Sequence, residues 1–231
     1  YSWRDRTAEL LSDMIDDKRA IKLADLYNTS FSAGYKAAFS TAKTVFDILK
    51  LTKLTSENPI ELGFREGDSF LSHGLYELTI YTQGKKLSLS STIPLLDNAG
   101  FIIESEDVSL VGEQGATCSV IYTFGVRAKT GGAISTELAN DIIIPALKLA
   151  IRDSIESDKL NSLLIEPGRT WKEISLLRPY KSYLWQIKVL PAEESIISAI
   201  TSFPELCRMS IDFFAAKFDL KFAGNRASKI S

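Results

Sequence analysis

The sequence predicts an α+β fold: a four-stranded, mostly antiparallel sheet with two helices, flanked on both sides by helical segments. Three observations carry this. Apolar residues recur at helical spacing through the first 55 residues and again beyond residue 156. Between those stretches the apolar period falls to two. The middle stretch then reads strand, strand, helix, strand, strand, helix, the order of a two-layer sandwich. The boundaries are a helical segment over 1–55, an α+β domain over 56–155, a helical motif over 156–222 and a tail over 223–231.

Each element has its own signal. Leu10, Leu11, Met14 and Ile15, then Leu23 and Leu26, return to one face and predict helix over 7–26. Asn28 and Gly34 read as breakers after it. A further helix is expected from Ser40 or Thr41 as N-cap, carrying Val45, Phe46 and Leu49 inward. From Pro59, Ile60, Leu62 and Phe64 alternate with Glu61, Gly63 and Arg65. Leu75 to Tyr81 alternates likewise, with Tyr76, Leu78 and Ile80 on one face and Leu75, Glu77, Thr79 and Tyr81 on the other. Gly67 and Gly74 punctuate the connection, so the pair reads as a long hairpin.

A helix follows over Leu89 to Asn98, with Pro94 near its start and Gly100 as its stop. Strands are expected at 101–108 and 119–127 around a glycine-rich turn at Gly112–Gly115. A helix from Ser135 to Asp153 has Glu137 in its first turn, where negative charge suits the helix dipole. In the last third, Trp171, Ile174, Leu177, Leu184 and Ile187 mark a helix kinked or broken near Pro179. Ile196, Ile197 and Ile200 mark another. A third over 206–218 is expected to turn Met209, Phe213 and Phe214 inward.

Composition bounds the function. The 231 residues are 45% hydrophobic and 24% charged, enough to bury a core. No apolar run approaches the roughly 18–20 residues that span a bilayer, and no signal peptide is visible, so no membrane partner and a cytoplasmic location are expected. The chain opens at Tyr1 without a signal-like remnant and reads as a piece of a longer protein. Cys118 and Cys207 are too few and too far apart for a disulfide framework and read as buried thiols. Lys/Arg and Asp/Glu number 9 and 7 over 1–55, 7 and 13 over 56–155, and 11 and 9 thereafter. An acidic middle between weakly basic flanks is no field for phosphates, which argues against nucleic acid.

No catalytic, cofactor-binding or metal-binding residue is assigned. His73 is the only histidine, and no G-x-S-x-G motif accompanies it. Glu104, Glu106 and Asp107 lack calcium-loop spacing and read as a solvated edge. Thr130-Gly131-Gly132 precedes a helix, but neither a G-x-G-x-x-G nor a phosphate-loop pattern occurs, so a glycine-eased turn is expected. Two aromatic clusters remain. Tyr27, Phe31, Tyr35 and Phe39 form one; Tyr180, Tyr183 and Trp185 with Arg178, Lys181 and Lys188 form the other. Both read as helix packing.

A resemblance runs through the chain in order. Glu156-Ser157-Asp158 to Asn161, Thr170-Trp171-Lys172-Glu173, Leu176 to Tyr180 and Tyr183 to Ile187 resemble the segment preceding the catalytic domain of the large bacterial NAD-specific glutamate dehydrogenases. Trp3 to Arg6, Leu87 to Gly100, Phe124 to Arg127 and Phe214 to Asp219 are similar to further motifs of that family. Pro179 departs from it, standing where alanine is usual. The resemblance implies an ACT-like (ferredoxin-like) regulatory module between helical motifs. It implies a parent enzyme that uses NAD, with no cofactor held in this segment. It implies the catalytic domain of the same polypeptide as partner, a homo-oligomeric parent and an amino-acid effector as a possible ligand. For a carboxylate effector, Arg65, Lys85, Lys86 and Arg127 are the basic residues available in the acidic middle.

Overall fold

The computed structural model describes residues 2–68, 75–84, 86–112 and 118–218. His73, Lys85, most of the Gly67–Gly74 connection, most of the Gly112–Gly115 turn and the tail lie outside the described residues. Two compact units are present: residues 1–93 with 102–127, and residues 94–101 with 128–231.

The first unit opens with four helices, α1 (Trp3–Ser12), α2 (Asp17–Ser30), α3 (Ala33–Ala38) and α4 (Thr41–Leu51). Side chains start all four. Ser2, Asp16, Ser32 and Ser40 each accept a hydrogen bond from the backbone N–H three residues on, and Ser2 with Asp5 completes a capping box. The expected helix over 7–26 is thus two helices, broken where Asp16 caps a new start. Asn28 and Gly34 break nothing, since Asn28 lies inside α2 and Gly34 inside α3. Helix-to-helix packing outweighs their weak local preference.

The strands are β1 (Ile60–Glu66), β2 (Tyr76–Gln83), β3 (Phe101–Val111) and β4 (Ser119–Ala128), in the order β1-β2-β4-β3. The fold is α+β with a four-stranded antiparallel sheet, consistent with an ACT-like domain. The hairpin is as expected: β1 and β2 pair antiparallel, from Ile60 opposite Thr82 to Glu66 opposite Tyr76. β2 also pairs antiparallel with β4. The alternation assigns faces. Gly63, Thr79 and Thr123 stand in one cross-strand row, and a Cβ on Gly63 would lie 2.5 Å from the Phe46 ring of α4. Odd-numbered residues of β1 and β2 therefore look toward α4.

The core on that side gathers Leu11, Ala20, Ala24, Phe31, Tyr35, Phe39, Ile48 and Leu51 from the helices with Tyr81, Val111 and Ile121 from the strands. In α4 the inward arc is wider than expected, with Val45 buried, Leu49 packed against the core and Phe46 against Gly63. Phe46 and Leu49 are half-buried, whereas Lys43, Thr44, Val45, Asp47, Ile48 and Leu51 are buried. At 100° per residue these six occupy a continuous arc of about 200°.

Helix α5 (Leu89–Asn98) has the expected ends, and Gly100 follows it at φ +94°. Pro94 is its sixth residue, however, not near the start. The second unit continues with α6 (Thr136–Leu138), a π-helical turn (Ala139–Ile143) and α7 (Ile144–Ile151). A 3₁₀ turn (Lys159–Leu164) leads to α8 (Trp171–Gln186), α9 (Glu193–Thr201) and α10 (Pro204–Phe218). α8 runs through Pro179 unbroken, held at its start by a capping box between Thr170 and Glu173.

Candidate functional sites: a buried ionic cluster and an apolar groove

The first unit buries a charge pair beneath α4. Lys43 and Asp47 are both fully buried, one helical turn apart. The Lys43 ammonium donates to Asp47 Oδ1 at 2.5 Å and Oδ2 at 2.7 Å, and to Thr79 Oγ1 at 3.4 Å. Two phenols complete the shell. Tyr35 donates to Asp47 Oδ2, and Tyr81 donates to Oδ1 at 2.6 Å. Each carboxylate oxygen thus accepts one phenol and the shared ammonium, so both are satisfied within a fully buried network.

Arg65 extends the polar layer along the sheet. It donates to Glu77 Oε2, its cross-strand partner, at 2.8 Å and to both oxygens of Asp68. Burial works against the charge of Arg65, but Asp68 and Glu77 outweigh it and raise its affinity for the proton. Arg65 in turn holds the Asp68 carboxyl below its usual value, assisted by the Ser40 hydroxyl.

Both phenols are held neutral. Burial first, then the negative Asp47, pushes Tyr35 and Tyr81 well above their ordinary value. Their contribution to stability is therefore fully present below the unfolded tyrosine value of about 10 and is lost as pH rises above it. In an absorbance titration at 295 nm, at least two of the eight tyrosines should stay silent until the chain unfolds in alkali. Tyr35→Phe and Tyr81→Phe should each remove one silent phenol. Ionisation of all eight with native circular dichroism would refute this.

The second unit presents an apolar groove between α8, α9 and α10, about 750 Å³ in volume, with Leu177, Tyr180, Ile200, Phe203, Met209 and Phe213 among its walls. α10 packs through Cys207 and Ile211, with Phe214 edge-on to Tyr180 at 6.4 Å. Met209 and Phe213, expected inward, are 60% and 45% exposed, and Leu206 beside them is 61% exposed. α10 is apolar around much of its circumference, so its pattern alone does not say which arc packs. Burial raises the Cys207 thiol, and its Sγ lies 3.0 Å from the Ile200 carbonyl, which suits an inert thiol.

Tyr27, Phe31, Tyr35 and Phe39 form a row of ring contacts along the core, stacked between Phe31 and Tyr35 and tilted at either end. Tyr180, Tyr183 and Trp185 do not pack inward; each is more than half exposed. Their basic neighbours do something else. Arg178 bonds to Glu156 and Asp158, and Lys181 to Asp158 and Glu193, tying α8 to the turn before it and to α9. Arg127 pairs with Glu104 at 2.7 Å on β3, an edge strand on which Glu104 and Glu106 are exposed. Gly131 turns at φ +74° after β4. Among the described residues no cluster of His, Cys, Asp and Glu fits a metal ion, and no helix is long and apolar enough to cross a membrane.

Neither site carries a reactive constellation, so kinship is the deciding observation. Three family models match consecutive stretches: glutamate dehydrogenase helical motif 2 over residues 10–54, the ACT3 domain over 55–139 and helical motif 3 over 155–220. The chain belongs to the large NAD-specific glutamate dehydrogenases. It is similar to the NAD-specific glutamate dehydrogenase of Pseudomonas aeruginosa, 24% identical over 95% of this chain and 14% of that protein. The Mycobacterium tuberculosis protein of the same name is 28% identical over 83% of this chain and 12% of its own. That of Halomonas elongata is 24% identical over 94% and 13%. The chain therefore spans about one-seventh of the length of these curated relatives.

The family boundaries fall on the structure. Helical motif 2 ends just after α4, the ACT3 stretch holds all four strands, and helical motif 3 holds α8 to α10. The buried cluster thus joins helical motif 2 to ACT3, and the groove belongs to helical motif 3.

Proposed function

We propose that this chain is a non-catalytic supporting segment of an NAD-dependent glutamate dehydrogenase. The full-length enzyme would oxidise L-glutamate with NAD to 2-oxoglutarate, ammonium and NADH. The segment would hold the catalytic part of the same cytoplasmic polypeptide through helical motif 3. The observation that carries this reading is the unpacked groove. Phe203, Leu206, Met209, Phe213 and Tyr180 leave on the order of 400 Å² of apolar surface exposed, within the range of the largest patch on a free monomer. That area is one side of an ordinary interface between domains of one chain. In the relatives, some six-sevenths of the polypeptide lies outside the matched stretch, and a docking domain within it would be present at high effective concentration. A sensing role has less support, because Arg65 and Arg127 are engaged by Asp68, Glu77 and Glu104.

The test is Leu206→Glu with Phe213→Glu. In the 231-residue chain the pair should leave circular dichroism unchanged and stability within about 0.5 kcal/mol, since both side chains are exposed. In the full-length enzyme it should abolish most glutamate-dependent NADH formation. Ile21→Glu, exposed on α2, should leave that activity intact. Full activity of the double variant would overturn the docking role, and NADH formation by the 231-residue chain alone would overturn the non-catalytic reading.

A further inference from the structure

Helical motif 2 and the ACT3 stretch are matched as separate segments meeting between residues 54 and 55. The structure ties them together along the whole of α4. At its N-cap, the Ser40 hydroxyl donates to Asp68 at 2.9 Å. Near its middle, Lys43 and Asp47 bond to Thr79 and Tyr81 of β2. Near its end, Lys50 Nζ donates to the Leu62 carbonyl of β1 at 2.8 Å. Phe46 lies over Gly63, where no side chain would fit without displacing the ring. A second seam closes the far side: Phe31 bridges Val111, and the Gly112 N–H donates to the Ser30 carbonyl at 3.1 Å.

We infer that the Asp47 cluster is a register lock that makes helical motif 2 and the ACT3 sheet one cooperative unit, so that neither moves without the other. The reason lies in the chemistry of the contact. Apolar side chains alone would let α4 slide or roll on the sheet at modest cost, because such contacts have little direction. A fully buried ammonium and carboxylate do not. A shift by one helical turn, about 5.4 Å, would carry Asp47 away from the Tyr81 hydroxyl and Lys43 away from Thr79. Both charges would then be dry and under-satisfied, which is strongly unfavourable. Among buried ionic groups, fixing register is the best-attested use.

The test separates specificity from stability. Tyr35→Phe, Lys43→Met, Asp47→Leu and Tyr81→Phe, combined, remove every charged and phenolic member of the cluster and leave an apolar contact of similar volume. Hydrogen exchange is followed in peptides covering 41–51 and 76–83. In the wild-type chain the two should open together, with equal protection and equal dependence on denaturant. In the combined variant the thermal midpoint should be unchanged or higher, yet α4 should exchange at least tenfold faster than β2. Equal protection of the two peptides in the folded variant would overturn the inference. So would wild-type α4 exchanging tenfold faster than β2. If the combined variant does not fold, Tyr81→Phe decides alone. It should lower protection of both peptides by the same factor, and an unequal loss would overturn the lock.

Discussion

Lys43→Met should be the most damaging single change in the first unit, lowering its stability by about 3–5 kcal/mol. Methionine fills most of the lysine volume, so little of the loss is a packing defect. The cost is electrostatic: Asp47, fully buried, keeps two phenol donors but loses its counter-charge. Chemical denaturation should show the midpoint falling with an unchanged denaturant slope, the mark of a stability change without a change in exposed surface. Adding Asp47→Leu should recover a large part of the loss, since removing both charges leaves no uncompensated ion. If Lys43→Met alone costs less than about 1 kcal/mol, as exposed ion pairs do, the cluster is wetter than its geometry implies.

Phe31→Ala ranks second, at about 3–5 kcal/mol. Phe31 is 3% exposed and sits at the junction of the aromatic row. It meets Trp3 edge-on at 6.0 Å, Tyr27 at 5.5 Å and Tyr35 stacked at 4.2 Å. Its backbone also bridges Val111 at the end of β3. Truncation to alanine removes the ring that α1, α2 and α3 share and leaves a cavity that three helix ends and a strand cannot easily close. Thermal unfolding should show the loss as a drop of many degrees. Phe31→Leu, which keeps most of the volume, should cost markedly less. Equal losses for the two variants would show that the ring contacts themselves, not the volume they fill, carry the effect.

These two residues also mark the limits of reading the chain as a sequence. Phe31 belongs to a row of aromatics spaced by four, Tyr27, Phe31, Tyr35 and Phe39, and helix packing was its expected role. Lys43 and Asp47 gave no such signal. An acid and a base four residues apart on a helix are ordinary surface chemistry. The same holds for Glu77 and Thr79, which alternate with Leu78 and Ile80 as a solvent face would. Each element taken alone looked half-polar. Only their apposition turns two polar stripes into one buried network, because each stripe satisfies the other. The groove shows the reverse. Met209 and Phe213 carry the residue types of a core, yet α10 turns Cys207 and Ile211 inward instead. A helix apolar on two arcs contains no instruction about which arc packs.

The sequence by itself determined the α+β class, the order of the four strands and the helix between them, the hairpin of β1 and β2, the stop at Gly100 and membership of the dehydrogenase family. All of these rest on local signals: period, turn residues, caps and short motifs in order. The tertiary structure decided what lies between elements. It broke the first predicted helix at the Asp16 cap, carried α8 through Pro179, sank a lysine and an aspartate beneath α4 and left an apolar face of α10 uncovered. The physical reason is the same throughout. Periodicity reports that a face is polar or apolar, whereas burial depends on whether a second face can meet it with matching volume and hydrogen bonds, and that partner lies far away in the chain.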